Sequence, residues 1–172
     1  MPTTTTTALA TTTTTDDGEQ TIAEREAELI ELIAAGATGP EEWVLVAARA
    51  LAAEQLVLER PGEVNLLDYF TEDSPYLEET VRPARDDFIP NDRNFDGNLT
   101  TLQGVEVVAT APDGTTTLTA VVVNQGFRIL DKADQPVYET TGGETVSFLM
   151  IFSQGADQQY RMADRGLEKL IE

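Results

Sequence analysis

The stretch Asp92-Arg93-Asn94-Phe95-Asp96-Gly97-Asn98-Leu99-Thr100-Thr101-Leu102-Gln103 carries the most definite chemistry in this chain. Oxygen-bearing side chains stand at its first, third and fifth positions, and glycine at the sixth. A calcium loop uses that order to converge alternate side chains on one ion and to turn sharply. Asp92, Asn94 and Asp96 would supply side-chain oxygens, Asn98 a backbone carbonyl, and Leu99 the apolar contact that pins such a loop. Gln103 occupies the twelfth position, where a bidentate glutamate is usual, so a charge and an oxygen are missing. Pro90 interrupts an entering helix, and the β-branched residues after Gly104 argue against an exiting one, which speaks against an EF-hand. A single non-helical loop with two formal charges would bind calcium weakly, at roughly 10⁻⁴–10⁻³ M. The same residues also suit a plain turn, because Asn, Asp and Gly favour turns without any metal. Asn98-Leu99-Thr100 is in addition an N-glycosylation sequon, relevant only on a glycosylating export route.

The surroundings of this loop are strongly acidic. Among 172 residues, 31 Asp and Glu face 11 Lys and Arg, a formal net charge of −20. Such a surface repels phosphate backbones and anionic headgroups, so no nucleic-acid partner and no direct anionic membrane-surface binding are expected. It favours cations, basic partners and solubility. The chain has no cysteine and no histidine. That removes disulfides, thiol nucleophiles, the usual zinc ligand sets and any imidazole base. Oxygen-ligand sites for hard cations stay open, so the cofactor expectation is none, or calcium at the Asp92 loop.

Residues 1–20, MPTTTTTALATTTTTDDGEQ, are low in complexity and too polar to offset the entropy of ordering. They read as a disordered Thr-rich tether of the kind that links an anchor to an extracytoplasmic domain. No basic, apolar leader pattern follows Met1, and no run is long enough to span a bilayer. The expected location is therefore extracytoplasmic or cell-surface tethered if a leader was removed, and cytoplasmic if Met1 is native.

Residues 21–172 read as one α+β domain. Thr21 and Glu24 have capping-box spacing, and Ile22, Leu29, Ile30 and Ile33 line one helical face up to Gly36. Thr38-Gly39-Pro40 starts a second helix whose stripe holds Trp43, Val46, Ala47, Ala50 and Leu51, ending at Pro61-Gly62. Short helical pieces are expected at Asn65–Phe70 and Pro75–Arg82, with an irregular segment between Pro83 and Pro90. From Gly104 the pattern turns to strands. Thr115–Leu130 reads as one long strand bent at Gly126, and Val137–Thr140 pairs with Glu144–Ser153 around Thr141-Gly142-Gly143. A last strand covers about Gln159–Ala163, and Gly166–Glu172 extends it or forms a short helix. Helices first and a meander after them predict N-terminal helices packed on a curved antiparallel sheet.

This layout resembles the nuclear-transport-factor-2-like superfamily of cone-shaped α+β folds, in its extracytoplasmic bacterial and archaeal form. The resemblance rests on the helix with Trp43 and Ala47, the passage Leu67-Asp68-Tyr69-Phe70-Thr71-Glu72-Asp73-Ser74-Pro75, and the closing Tyr160-Arg161-Met162-Ala163-Asp164. It spans about residues 38–166, and the early hairpin and third helix usual in the family are not evident. The resemblance implies a cavity between helices and sheet, with Trp43, Tyr69, Arg128, Tyr138, Phe148 and Tyr160 as pocket candidates. It implies a non-enzymatic binding or scaffold module, exported or surface-tethered, that takes a protein or small-molecule partner through its cavity or sheet face. The alternatives are a cavity enzyme of the polyketide-cyclase or ketosteroid-isomerase kind, and a structural subunit that forms a homodimer through its sheet. No pair of carboxylates is placed on one cavity wall by the sequence, so no catalytic residue is named.

Overall fold

The computed structural model describes residues 19–171, with side-chain surroundings through residue 166. The reading of residues 1–18 as a tether lies outside the described residues. The architecture is α+β: three helices in the first half, then two antiparallel sheets.

Helix α1 (Ile22–Ala34) starts at the expected capping box. The Glu24 amide donates to Thr21 Oγ1 at 3.2 Å, and the Thr21 amide donates to Glu24 Oε2 at 2.9 Å. Helix α2 (Glu41–Glu59) is buried on nearly every side, from Val44 through Val57. Five of its residues are alanine, and small side chains let it sit between α1, the sheet and the third helix. A helix apolar all round is one that must lie inside.

The segment after α2 differs from the sequence expectation. Residues 75–88 form one continuous helical stretch, with a π turn at Leu77–Val81 running into α3 (Arg82–Phe88). Ser74 is fully buried and accepts from the Leu77 amide at 3.2 Å, so Asp73-Ser74-Pro75 is a helix start with proline in its first turn. Pro83 was expected to bound an irregular segment and lies inside the helix instead. Proline leaves the carbonyl four residues back unpaired and crowds it. The wider π turn just before it, where the Arg82 amide reaches Leu77 O, accommodates the missing bond. The expected helical piece Pro75–Arg82 is present, and it continues through Pro83 to Phe88.

The strands are β1 (Asn94–Gly97), β2 (Thr100–Thr110), β3 (Thr116–Asn124), β4 (Phe127–Leu130), β5 (Pro136–Thr140), β6 (Thr145–Gln154) and β7 (Tyr160–Ile171). They form a four-stranded sheet in the order β2-β3-β6-β7 and a three-stranded sheet in the order β1-β4-β5. The expected single sheet is thus two, and the expected long strand Thr115–Leu130 is divided between them. The division falls at Gln125-Gly126, which crosses closely over residues 140–142. A Cβ on Gly142 (φ +70°) would meet Gln125 and lie 2.6 Å from the Gly126 amide nitrogen, so neither strand passes straight through. For the same reason β5 and β6 do not pair with each other as expected; β5 pairs with β4 and β6 with β3. Strand β7 takes up residues 160–171, so the C-terminal stretch extends the last strand and is not a helix.

The core lies between the helices and one face of the larger sheet. Leu118, Ala120 and Val122 of β3 and Met150 and Phe152 of β6 alternate inward and are at most 1% exposed. Fully burying each large side chain of this kind is worth about 1.5–3 kcal/mol. Each edge of this sheet is bridged at one point by passing chain. The Thr38 amide donates to Gln103 O at 2.9 Å and Val105 donates to Thr38 O at 2.8 Å on the β2 side. On the β7 side, Met162 donates to Tyr69 O at 2.8 Å and Thr71 to Met162 O at 3.1 Å.

Candidate functional site

The Asp92 loop is drawn into the smaller sheet. Asp92 sits in a turn at φ +47°, and Asn94 and Asp96 follow on strand β1. Asp96 is ion-paired with Arg128, its cross-strand partner on β4. Asn98 Oδ1 accepts from Gln55 Nε2 at 3.3 Å, and Gln103 lies on the β2 edge against Thr38. Asp92 and Asn94 line a shallow surface depression together with Arg93 and Lys132. The five candidate ligands therefore go to different neighbours. Among the described residues no group of three or more Asp or Glu side chains could hold a metal ion.

What fixes the end of this loop is Gln55, a polar residue in the middle of α2 that sequence reasoning passed over. It is 0% exposed, yet fully engaged: its Oε1 accepts from the Leu99 amide at 3.1 Å and its Nε2 donates to Glu59 Oε1 at 2.7 Å. A buried amide needs such partners, and a lone Gln within an apolar helical run was the available signal.

The six pocket candidates separate into three places. Trp43, Tyr69 and Tyr160 come together at one end of α2. The Trp43 and Tyr160 ring centroids are 4.7 Å apart. Trp43 is only half-buried and packs on the rim of the core, where the sequence reading placed it inside the apolar stripe. Tyr69 donates to Glu26 Oε2 at 2.8 Å, Arg49 Nε reaches Glu26 Oε1 at 2.9 Å, and the Arg49 guanidinium lies 4.5 Å from the Tyr69 ring centre. Burial, and then the Glu26 acceptor, push the Tyr69 phenol well above its ordinary pKa. The cavity beside Tyr69 and Tyr160 holds about 80 Å³, close to two or three waters.

Phe148 belongs to a second cluster, inside the fold. Arg165 of β7 is ion-paired with Glu54 of α2, with side chains 7% and 14% exposed. Its Nη1 also donates to the Tyr76 hydroxyl at 3.2 Å, and its guanidinium carbon lies 3.8 Å from the Phe148 ring centre. Arg165 Nε is buried without a hydrogen-bond partner among the described residues, with the guanidinium over the face of that ring. Burial works against the Arg165 charge, but the Glu54 carboxylate outweighs it and the arginine pKa rises. Burial and the neighbouring Glu54 charge raise the Tyr76 phenol far above the usual range. Glu54 and Tyr76 also line a niche of about 170 Å³ whose walls are Val57, Leu58, Val81, Ala84 and Leu99. Drug-sized ligands occupy roughly 300–1,000 Å³, so this niche has room for little more than one small ring.

Arg128 and Tyr138 lie on the smaller sheet, away from both clusters. One face of that sheet carries Phe95, Phe127 and Tyr138, one ring per strand, with centroids 5.5 and 5.6 Å apart. Tyr138 is 53% exposed, and the three rings are not part of the packed core. The opposite face carries a row of charges across the strands, Asp96, Arg128 and Glu139, in register.

No protein-family profile and no curated protein matches this chain. Among solved structures it is similar to the crystal structure of the intermembrane space region of the chloroplast protein ARC6. That similarity has a TM-score of 0.56 and 12% identity, covering 76% of this chain and 96% of the other. At that identity the likeness is one of fold alone.

Proposed function

We propose that this chain is a non-catalytic binding module that takes a protein partner on its three-stranded sheet, while the helices and larger sheet serve as the scaffold. The observation that carries this reading is the filled interior. The inward face of β3 and β6 is at most 1% exposed at Leu118, Ala120, Val122, Met150 and Phe152, where a cavity enzyme would hold substrate. Groups with acid–base character near it, Glu54, Tyr76 and Arg165, are engaged with one another rather than free to meet a ligand. The aromatic stripe, by contrast, with Phe95 and Phe127 half-buried and Tyr138 exposed, has the composition of an interaction surface, in which aromatic residues are enriched. The nuclear-transport-factor-2-like resemblance and an exported or surface-tethered setting accord with this reading. A homodimer fits less well, because each copy carries a charge of −20 and repels the other.

Met150 and Met162, both 0% exposed, are built-in reporters for the interior. With ¹³C-methyl methionine, their resonances should stay in place when 2-naphthol, a planar phenolic probe, is added to millimolar concentration. Saturable shifts at both methyls would instead reveal a cavity that opens to a ring-shaped ligand, and would favour the cyclase- or isomerase-like alternative.

A further inference from the structure

The inference concerns strand β5 and rests on the reading of the smaller sheet as the partner surface. Strand β5 is the outer strand of the order β1-β4-β5. Among the described residues, no backbone hydrogen bond outside its ladder with β4 engages residues 136–140. Each of the other outer strands is met by passing chain or a side chain at one point: Thr38 at Gly104–Val105 of β2, residues 69–71 at Met162 of β7, and Gln55 at Gly97 O, the end of β1. An open edge presents a row of unpaired amides and carbonyls, which is a template for another strand. Val137 and Tyr138 on this edge are 48% and 53% exposed.

The chemistry of the missing neighbour follows from the rows already present. On one face, signs alternate from strand to strand: Asp96 on β1, Arg128 on β4, Glu139 on β5. The next position in that row calls for a cation, since opposite charges facing each other across strands stabilise and like charges destabilise. On the other face the row Phe95, Ile129, Tyr138 calls for an apolar, β-branched or aromatic neighbour. Pro136 has no N–H to offer, and a register shift in the ladder lies between Ile129 and Leu130, so productive pairing is confined to residues 137–140.

We infer that β5 accepts an extended segment of a partner protein as a fourth strand, with Lys or Arg opposite Glu139 and an apolar residue beside Tyr138. A second copy of this chain is a poor occupant. Its own β5, Pro-Val-Tyr-Glu-Thr, contains no cation, and both copies carry −20.

The test uses ¹⁵N-labelled protein and a short capped peptide of alternating valine and lysine, with a valine–glutamate peptide as its charge-reversed counterpart. The lysine peptide should shift the amides of residues 137–140 and slow their exchange, and the glutamate peptide should do so less. Glu139→Lys should reverse the preference, changing affinity by roughly two- to fivefold in each direction. Glu139 is exposed, so unchanged Met150 and Met162 methyl positions serve as the folding control. N-methylating alternate peptide amides keeps the charge and removes the edge hydrogen bonds, so on one of the two alternate sets it should abolish binding. Absence of shifts at 137–140 with millimolar lysine peptide overturns strand addition. So does binding that neither methylated set weakens, or a preference that Glu139→Lys leaves unchanged. None of these outcomes touches the methionine-methyl experiment, so this inference and the non-catalytic reading fail separately.

Discussion

The two sheets of this molecule differ in make-up and in burial: the larger has long strands rich in Thr and Val, the smaller short ones such as Asn-Phe-Asp-Gly and Phe-Arg-Ile-Leu. The larger one has its inward face against α1 and α2, its outer strands capped by Thr38 and by residues 69–71, and a buried ion pair, Glu54–Arg165, tying it to α2. The smaller one is three short strands with aromatic rings on one face, charges on the other, and an outer strand β5 whose backbone bonds are those with β4. A two- or three-stranded sheet is marginal by itself and survives by leaning on something else. Here the support is Gln55, which holds residues 97–99 to α2. Burial is concentrated in the larger sheet, while the smaller one keeps Val137 and Tyr138 exposed.

The comparison can be broken first by matched deletions. Phe152→Ala, on the buried face of β6, should cost about 3–5 kcal/mol in denaturant unfolding. Phe127→Ala removes the same ring from the smaller sheet and should cost about 1 kcal/mol, the scale of an aromatic pair outside the core. Equal losses would mean that the smaller sheet is part of the core after all. Next, Arg165→Met should destabilise by roughly 3–5 kcal/mol, because Glu54 is left charged and unpaired in a buried site. Adding Glu54→Leu to that variant should recover most of the loss; no recovery would show that the pair contributes through packing alone. The smallest expected change, one that shows only at alkaline pH, comes from the phenols of Tyr69 and Tyr76. Both are raised in the folded state, by burial first and then by Glu26 and Glu54 respectively. Their contribution is therefore complete below the ordinary tyrosine value of 10.0 and is lost as pH rises above it, toward the folded values. Ultraviolet titration should find these two phenols ionising together with alkaline unfolding, and Tyr69→Phe with Tyr76→Phe should flatten that limb.

Local signals in the sequence were the most legible. The Thr21–Glu24 box, the Gly36 stop and the α2 stripe depend on neighbours three or four residues away, and they stand where periodicity puts them. The helical piece from Pro75 to Arg82 was legible, but its continuation to Phe88 was hidden because Pro83 breaks the usual pattern, and a π turn that absorbs a proline leaves no periodic trace. The two-sheet arrangement was hidden for a different reason. Residues 115–123 are mostly β-branched and 127–130 are also strand-like, and the contact of Gly126 with residues 140–142, a non-local event, splits the two. At the candidate sites, sequence grouped Asp92, Asn94 and Asp96 by spacing, whereas Asp96 is paired with Arg128, thirty-two residues away. Trp43, Tyr69 and Tyr160 do meet, but Glu54 and Arg165 escaped notice, since they are 111 residues apart and only the packing of α2 on β7 joins them.

The most direct test of the closed scaffold and open sheet is native-state hydrogen exchange resolved by strand. Amides of β3 and β6 at Ala120, Val122 and Met150 should exchange only through global unfolding, with the same denaturant dependence as the whole protein. Amides of residues 137–140 should exchange through local opening, at least about a thousandfold faster and with little denaturant dependence. Uniform global protection across both sheets, or local opening of β3 and β6, would contradict the account.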